Sequence, residues 1–226
     1  LVLEETEGVA MDLTWHGSHP VVQEQPHLMR QGSRVTLDAQ RFAQVGTWSG
    51  TLLVDGAETT VDPERWVGTR DRSWGIRPVG DPEPPGAPSD PPFEGMWWLY
   101  VPLRFEEFAI VLIIQESPDG FRTLNDCTRV WRDGRVEQLG WPRVQVAYAP
   151  GSRMPTGAEV TCTTPDGTPV RIEVTSLLGV PLHLGGGYGG DPDWLHGSWR
   201  GPGFSERRSY DLTDSDVAGR VMFGVV

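Results

Sequence analysis

Lysine is absent from this chain: all 19 basic residues are arginine, so lysine Schiff-base chemistry, a lysine-linked pyridoxal cofactor and a P-loop are all excluded. Cysteine is nearly absent as well. Cys127 and Cys162 alone make neither a disulfide framework nor a zinc-ligand set, and they read as small buried hydrophobes. No apolar run is long enough to span a bilayer; the longest, Phe108 to Ile114, fits a buried strand. Positive charge is scarce too. The net charge of −12, with no basic stripe, argues against nucleic acid and against an anionic membrane surface as partners. Long amphipathic helical patterns are missing, and only Leu212 to Gly219 suggests a short helical turn. The chain opens at Leu1 without methionine and closes on an apolar Val221 to Val226, so both ends read as trimmed from a longer protein. A cytoplasmic location is the expectation.

What the chain does contain is glycine (28), proline (20) and ten tryptophans, with 38% hydrophobic residues: a globular, turn-rich composition rather than a disordered one. Four Asp-Gly pairs, at Asp55-Gly56, Asp119-Gly120, Asp133-Gly134 and Asp166-Gly167, lie between strand-like runs and predict tight hairpins. The expected fold is therefore all-β and antiparallel, a barrel or sandwich. Pro78 to Pro92 holds seven prolines and must be a loop, since proline removes ladder donors. A second loop, Gly185 to Gly190, is almost wholly glycine.

The segment from Gly68 to Arg77 carries three arginines, Asp71, Ser73, Trp74 and two glycines. As a strand it places Arg70, Arg72 and Trp74 on one face and Asp71 and Ser73 on the other. Buried charges need partners, so the segment is either a structural ion-pair network or the polar floor of a site. Asp71 could transfer a proton, but nearby Arg70, Arg72 and Arg77 would favour its ionised form and suit it to orienting arginines. Ser73 has no histidine beside it to activate it. Trp98 and Tyr100 share one face of an aromatic strand, Trp97, Leu99 and Val101 the other; such a strand lines a cavity or packs a core. His196 stands near Asp191 and Asp193 as a candidate base in a loop. His16, His19 and His27 lack recognised ligand spacing, and no metal is expected.

At Gly68 to Arg77 the sequence resembles the lipocalin-like AttH and carotenoid hydratase (hydroxyneurosporene synthase) superfamily, whose members carry a glycine, an aspartate, a histidine or arginine, a serine or asparagine, then Trp-Gly. Gln40 to Thr51 and the hairpin at Asp55-Gly56 resemble the strands that lead to this motif there. The resemblance implies two tandem lipocalin-like barrels: residues 1–80 as strands of a first, truncated barrel carrying the motif, 81–92 as a linker, and 93–226 as the second β-domain. It also implies a small apolar or isoprenoid-like ligand and no cofactor. On that reading Asp71 and Arg72 are catalytic, while Trp74, Arg70, Arg77, Trp98, Tyr100 and His196 bind the ligand. The reaction implied is hydration, isomerisation or cyclisation, a lyase or isomerase activity. Arg72 stands where the hydratases carry histidine, replacing a titratable group by a permanent cation. The alternative is a non-catalytic binding module in which the motif only ties strands together.

Overall fold

The computed structural model describes residues 1–31, 33–76, 95–182, 199–218 and 222–225. These fall into two compact units that do not follow chain order. The first combines Leu1–Ile76, Phe93–Pro142 and Cys162–Val170; the second combines Arg77–Pro92, Arg143–Thr161 and Arg171–Val226. Strands on both sides of the proline-rich stretch thus belong to the first unit.

The first unit is built on one long strand. β1 (Val2–Thr6) pairs with β2 (Val9–Gly17), and β2 pairs with the C-terminal half of β5 (Arg34–Val54). Along its remaining edges β5 also holds β3 (Val22–Gln23), β4 (His27–Gln31), β6 (Ala57–Val61) and β7 (Val67–Ile76), all antiparallel. A straight strand of this length would reach roughly 70 Å, so it has to coil. A second sheet is a four-stranded meander in the order β11-β10-β9-β8, from β8 (Trp97–Arg104), β9 (Phe108–Glu116), β10 (Arg122–Trp131) and β11 (Val136–Gln138). The two sheets meet through Val22, Ala43 and Val45 of the first and Ala109, Val111 and Val130 of the second, with Tyr100 packed alongside. Ala109 to Gln115 of β9 is buried at every position, which is why this run reads as continuously apolar rather than alternating.

The second unit holds β12 (Arg143–Tyr148) and most of β13 (Pro155–Thr163) and β14 (Pro169–Thr175), which pair as one sheet, and a two-stranded ribbon of β15 (Gly179–Leu182) and β16 (Met222–Val225). The one helix among the described residues, α1 (Ser215–Ala218), is a single turn. The fold is all-β and antiparallel. The expected barrel closure is not found among the described residues, because β8 and β11 end their sheet without pairing to the strands around β5.

All four Asp-Gly pairs form turns, by two mechanisms. Asp55 and Gly56 both take positive φ (48° and 81°) and join Val54 to Ala57, a two-residue mirror-image turn. Glu7 and Gly8 (52° and 81°) make the same turn without an Asp-Gly signature. At the other three sites only the glycine has positive φ. There the aspartate caps the turn, its Oδ1 accepting from the amide two residues on: Phe121 at 3.2 Å, Arg135 at 3.0 Å and Thr168 at 3.1 Å. Cys127 and Cys162 are both buried, with Sγ atoms 3.6 Å apart as free thiols.

The glycines of the Gly68 to Arg77 segment have backbone reasons. Gly75 sits at φ 130°, and a Cβ there would lie 2.0 Å from the carbonyl oxygen of Asp38 on the paired strand. Gly68 lies under Trp48, whose Nε1 a Cβ would approach to 3.1 Å. Gly75→Ala combines a forbidden φ with a backbone collision and is expected to cost on the order of 3 kcal/mol. Gly167→Ala, at φ 89° with nothing within 4 Å, adds left-handed strain alone, about 1–2 kcal/mol. Urea midpoints of the two variants measure the difference, and equal shifts would remove the collision argument.

Candidate functional site

Because residues directly opposite in an antiparallel pair share a face, the register along β5 decides which side chains meet between the sheets. Val22, Ala43 and Asp71 form one row across β3, β5 and β7. In the next row the amide of Glu24 donates to the carbonyl of Arg41 at 3.1 Å, and Arg41 lies opposite Ser73. His27 opposite Ala39 forms the third. Val22, Ala39, Ala43 and Val45 are buried, so this is the inner face. On the facing sheet the corresponding rows are Trp98 with Gln115, Tyr100 with Ile113, and Ile113 with Asp126.

These rows bring a polar group into the interior. The Glu24 side chain is 1% exposed and its Oε2 lies 3.4 Å from Nε of Arg41, yet neither carboxylate oxygen accepts a hydrogen bond. Nε of Arg41 and the hydroxyl of Tyr100 are likewise buried and without hydrogen-bond partners. The Arg41 guanidinium instead lies 5.3 Å from the centre of the Trp98 ring, and His27 is tilted against the same indole at 6.4 Å. Asp126, by contrast, is satisfied. It accepts from the amide of Gln25 at 3.0 Å and from the hydroxyl of Thr128 at 3.0 Å, and Gln138 donates to that hydroxyl at 2.9 Å.

Electrostatics follows from this layout. Burial pushes the Glu24 carboxyl above its usual range; Arg41 works against that, while Asp71 and Asp126 reinforce it. Burial also raises the Tyr100 phenol, helped by Glu24 and Asp71 and opposed by Arg41. Glu24, Arg41, Asp71 and Tyr100, from four different elements, therefore act on one another. A cleft of about 580 Å3 runs along the open seam between the β3 edge and the β10-β11 edge. Glu24 and Asp126 line it with Gln23, Gln25, Asn125, Gln138 and Gly140, beside Trp141, which is 83% exposed.

The residues singled out in the sequence separate into two groups. Asp71 and Ser73 lie on the inner face, opposite Ala43 and Arg41. Arg70, Arg72 and Trp74 lie opposite Gln44, Phe42 and Gln40, on the outer face. There the Arg70 guanidinium stacks 5.4 Å from the Phe42 ring, against which Trp74 also packs at 6.2 Å. Arg70 and Arg72 are thus not the partners of Asp71: alternation along β7 points them away from it, and Arg41 is the inner-face cation beside Glu24. Trp98 and Tyr100 do face the inner group. Arg77 and His196 lie outside the described residues.

The histidines go to separate places. His16 contacts the Ser49 hydroxyl at 3.3 Å, His27 lies against Trp98, and His19 is buried with Nδ1 3.1 Å from Oγ of Ser18. Burial first, then Arg132 and Arg104, holds the His19 imidazole below its ordinary value. Among the described residues no group of three or more His, Cys, Asp or Glu is arranged to hold a metal ion.

Glu24, Arg41 and Asp126 were not singled out in the sequence. One signal for Glu24 was present: Val22 and Glu24 are two apart before Pro26, so a strand placing Val22 inward also turns Glu24 inward.

One family model matches residues 1–223. The chain belongs to the family of unknown function DUF8625. No curated protein and no solved structure matches it.

The raised carboxyl of Glu24 has a stability consequence with a defined sign. Unfolded, it titrates near 4.5; folded, it titrates higher. Between those values the folded protein keeps a proton that the unfolded chain has lost, so the Glu24 contribution to stability falls as pH rises through that window and stays lost above it. Glu24→Gln cannot titrate. Its stability relative to the wild type is expected to climb from about pH 4.5 upward, on top of any constant offset from leaving Arg41 without a counter-charge. Urea denaturation of both proteins across pH 4 to 8, a range of about four units chosen to bracket the window, measures this. A pH-independent difference would mean that the Glu24 carboxyl is not perturbed.

Proposed function

We propose that the protein binds a small, largely apolar molecule between the two sheets of its first unit, with the polar end of that molecule at Glu24, Arg41 and Tyr100. The observation that carries this reading is the coincidence of buried, unsatisfied polar atoms in one place: both oxygens of Glu24, Nε of Arg41 and the hydroxyl of Tyr100. A buried ion pair kept only for architecture is normally completed by hydrogen bonds, since leaving such groups unmade costs about 1–3 kcal/mol each. Here the completing partner is supplied by a ligand. Trp98 and Tyr100 furnish an apolar wall on the facing sheet, and the cleft along β3 and β11 reaches this polar group at Glu24.

The resemblance of the Gly68 to Arg77 segment to the lipocalin-like hydratases supports the same reading. In it, the facing sheets are the two sides of an open lipocalin-like barrel. Where the ligand carries a double bond, cofactor-free hydration, isomerisation or cyclisation begins with proton delivery to carbon. Glu24 suits that role better than Asp71, because burial favours its protonated form whereas Asp71 is exposed. The aromatic rings of Trp98 and Tyr100 would stand beside the cation so formed, which would lose a proton back to Glu24 or capture a water molecule whose proton returns to Glu24.

For the outer half of the motif, a purely architectural role is the better reading. Arg70 and Trp74 are engaged with Phe42, and Gly75 is required by the approach of Asp38.

Tryptophan fluorescence titration with 1-decanol tests the binding proposal. Saturable one-to-one binding is expected, weakened about tenfold by Trp98→Ala and left nearly unchanged by Arg72→Ala. Absence of saturable binding, or equal loss in both variants, would count against a ligand at this site.

A further inference from the structure

We infer that the polar end of the ligand is an ammonium group, so that the ligand class is an apolar chain or ring system ending in a primary or secondary amine. This rests on the binding site proposed above and specifies its chemistry. Three carboxylates, Glu24, Asp71 and Asp126, act on the site, against the one guanidinium of Arg41. That guanidinium is committed in part to the face of Trp98, and its Nε approaches Glu24 to 3.4 Å without a hydrogen bond. The buried carboxylate therefore lacks donors, not merely charge.

The alternatives fit less well. A carboxylate or phosphate on the ligand would meet the like charges of Asp71 and Asp126 and would hold Glu24 in its protonated form, with no charge to pair. An alcohol supplies one donor, leaving an oxygen of Glu24 unsatisfied. An ammonium brings two or three donors and a positive charge, which draws the buried Glu24 carboxyl into its ionised form. It can donate to both oxygens of Glu24 and to the hydroxyl of Tyr100, whose oxygen has no other partner. The cleft at Glu24 agrees: its lining includes the acidic Glu24 and Asp126 with Gln23, Gln25, Asn125 and Gln138, and no lysine or arginine. A net charge of −12 favours approach of a cation from any side.

The same general attraction makes a control necessary. Decylamine, 1-decanol and decanoate share a chain and differ in head group; each is titrated below its micellar concentration by tryptophan fluorescence and by calorimetry at pH 7. Decylamine is expected to bind about tenfold or more tighter than decanol, the difference made by charge-assisted over neutral hydrogen bonding, with decanoate weakest. In Glu24→Gln the preference for the amine should shrink to within about threefold, and in Tyr100→Phe by a smaller factor. Asp119→Asn, which removes a turn carboxylate on the surface, should leave it intact, because nonspecific attraction would lose equally in either variant.

Decanol binding as tightly as decylamine, or a preference that survives Glu24→Gln, would overturn the ammonium assignment and leave the binding site standing. Failure of all three chains to bind would overturn both. If Glu24→Gln does not fold by circular dichroism, the head-group ranking on the wild type and the Tyr100→Phe comparison decide the matter alone.

Discussion

The register of β5 is the constraint on which the first unit depends. Five strands take their alignment from this one strand, and its alternation sends Ala39, Arg41, Ala43 and Val45 inward together. A slip of one residue would turn Phe42 and Gln44 into the interior and carry Arg41 to solvent. The polar group between the sheets and the apolar contact beside it are thus set by the same hydrogen-bonded ladder. Neither can be changed without the other.

That coupling explains how so costly a cluster is held. Glu24 enters the interior because its backbone continues the pairing of β3 with β5, donating to Arg41. Val22, two residues earlier, is anchored in the core with Ala43 and Val45. The apolar contact therefore supplies the free energy that keeps a desolvated carboxylate in place, and the ion pair with Arg41 returns part of the desolvation cost. Tyr100 is placed in the same manner from the facing sheet, its ring against the core cluster and its hydroxyl towards the charges.

Much of the architecture was legible in the sequence because turns and alternation are local properties. Each Asp-Gly pair marked a hairpin, and the faces of Trp98 and Tyr100 against Trp97, Leu99 and Val101 followed from period two. The turn at Glu7-Gly8 was missed because only its glycine carries a signal. Barrel closure was an inference from resemblance, and closure depends on long-range edge pairing that no local pattern encodes. The site was less legible for a related reason. Asp71 was visible in a dense polar motif, but its neighbours Glu24, Arg41 and Asp126 come from the segment after β3, from β5 and from β10. Each is alone among ordinary residues in the sequence.

The motif from Gly68 to Arg77 is accordingly two structures on one strand. Its outer face is a stacked set in which Arg70 and Trp74 close over Phe42, and its glycines accommodate Trp48 and the backbone of Asp38. Its inner face carries Thr69, Asp71 and Ser73, opposite Val45, Ala43 and Arg41. Residue density in a motif marks where the backbone is tightly constrained, and here that constraint is met by the outer face. Chemistry requires instead a group whose interactions are incomplete, and such groups lie across the sheet at Glu24 and Arg41 and on the facing strand at Tyr100. Asp71 joins the two, since its pairing with Ala43 belongs to the ladder while its charge acts on Glu24 and Tyr100. The motif fixes the strand, and through it the field in which the buried carboxyl sits.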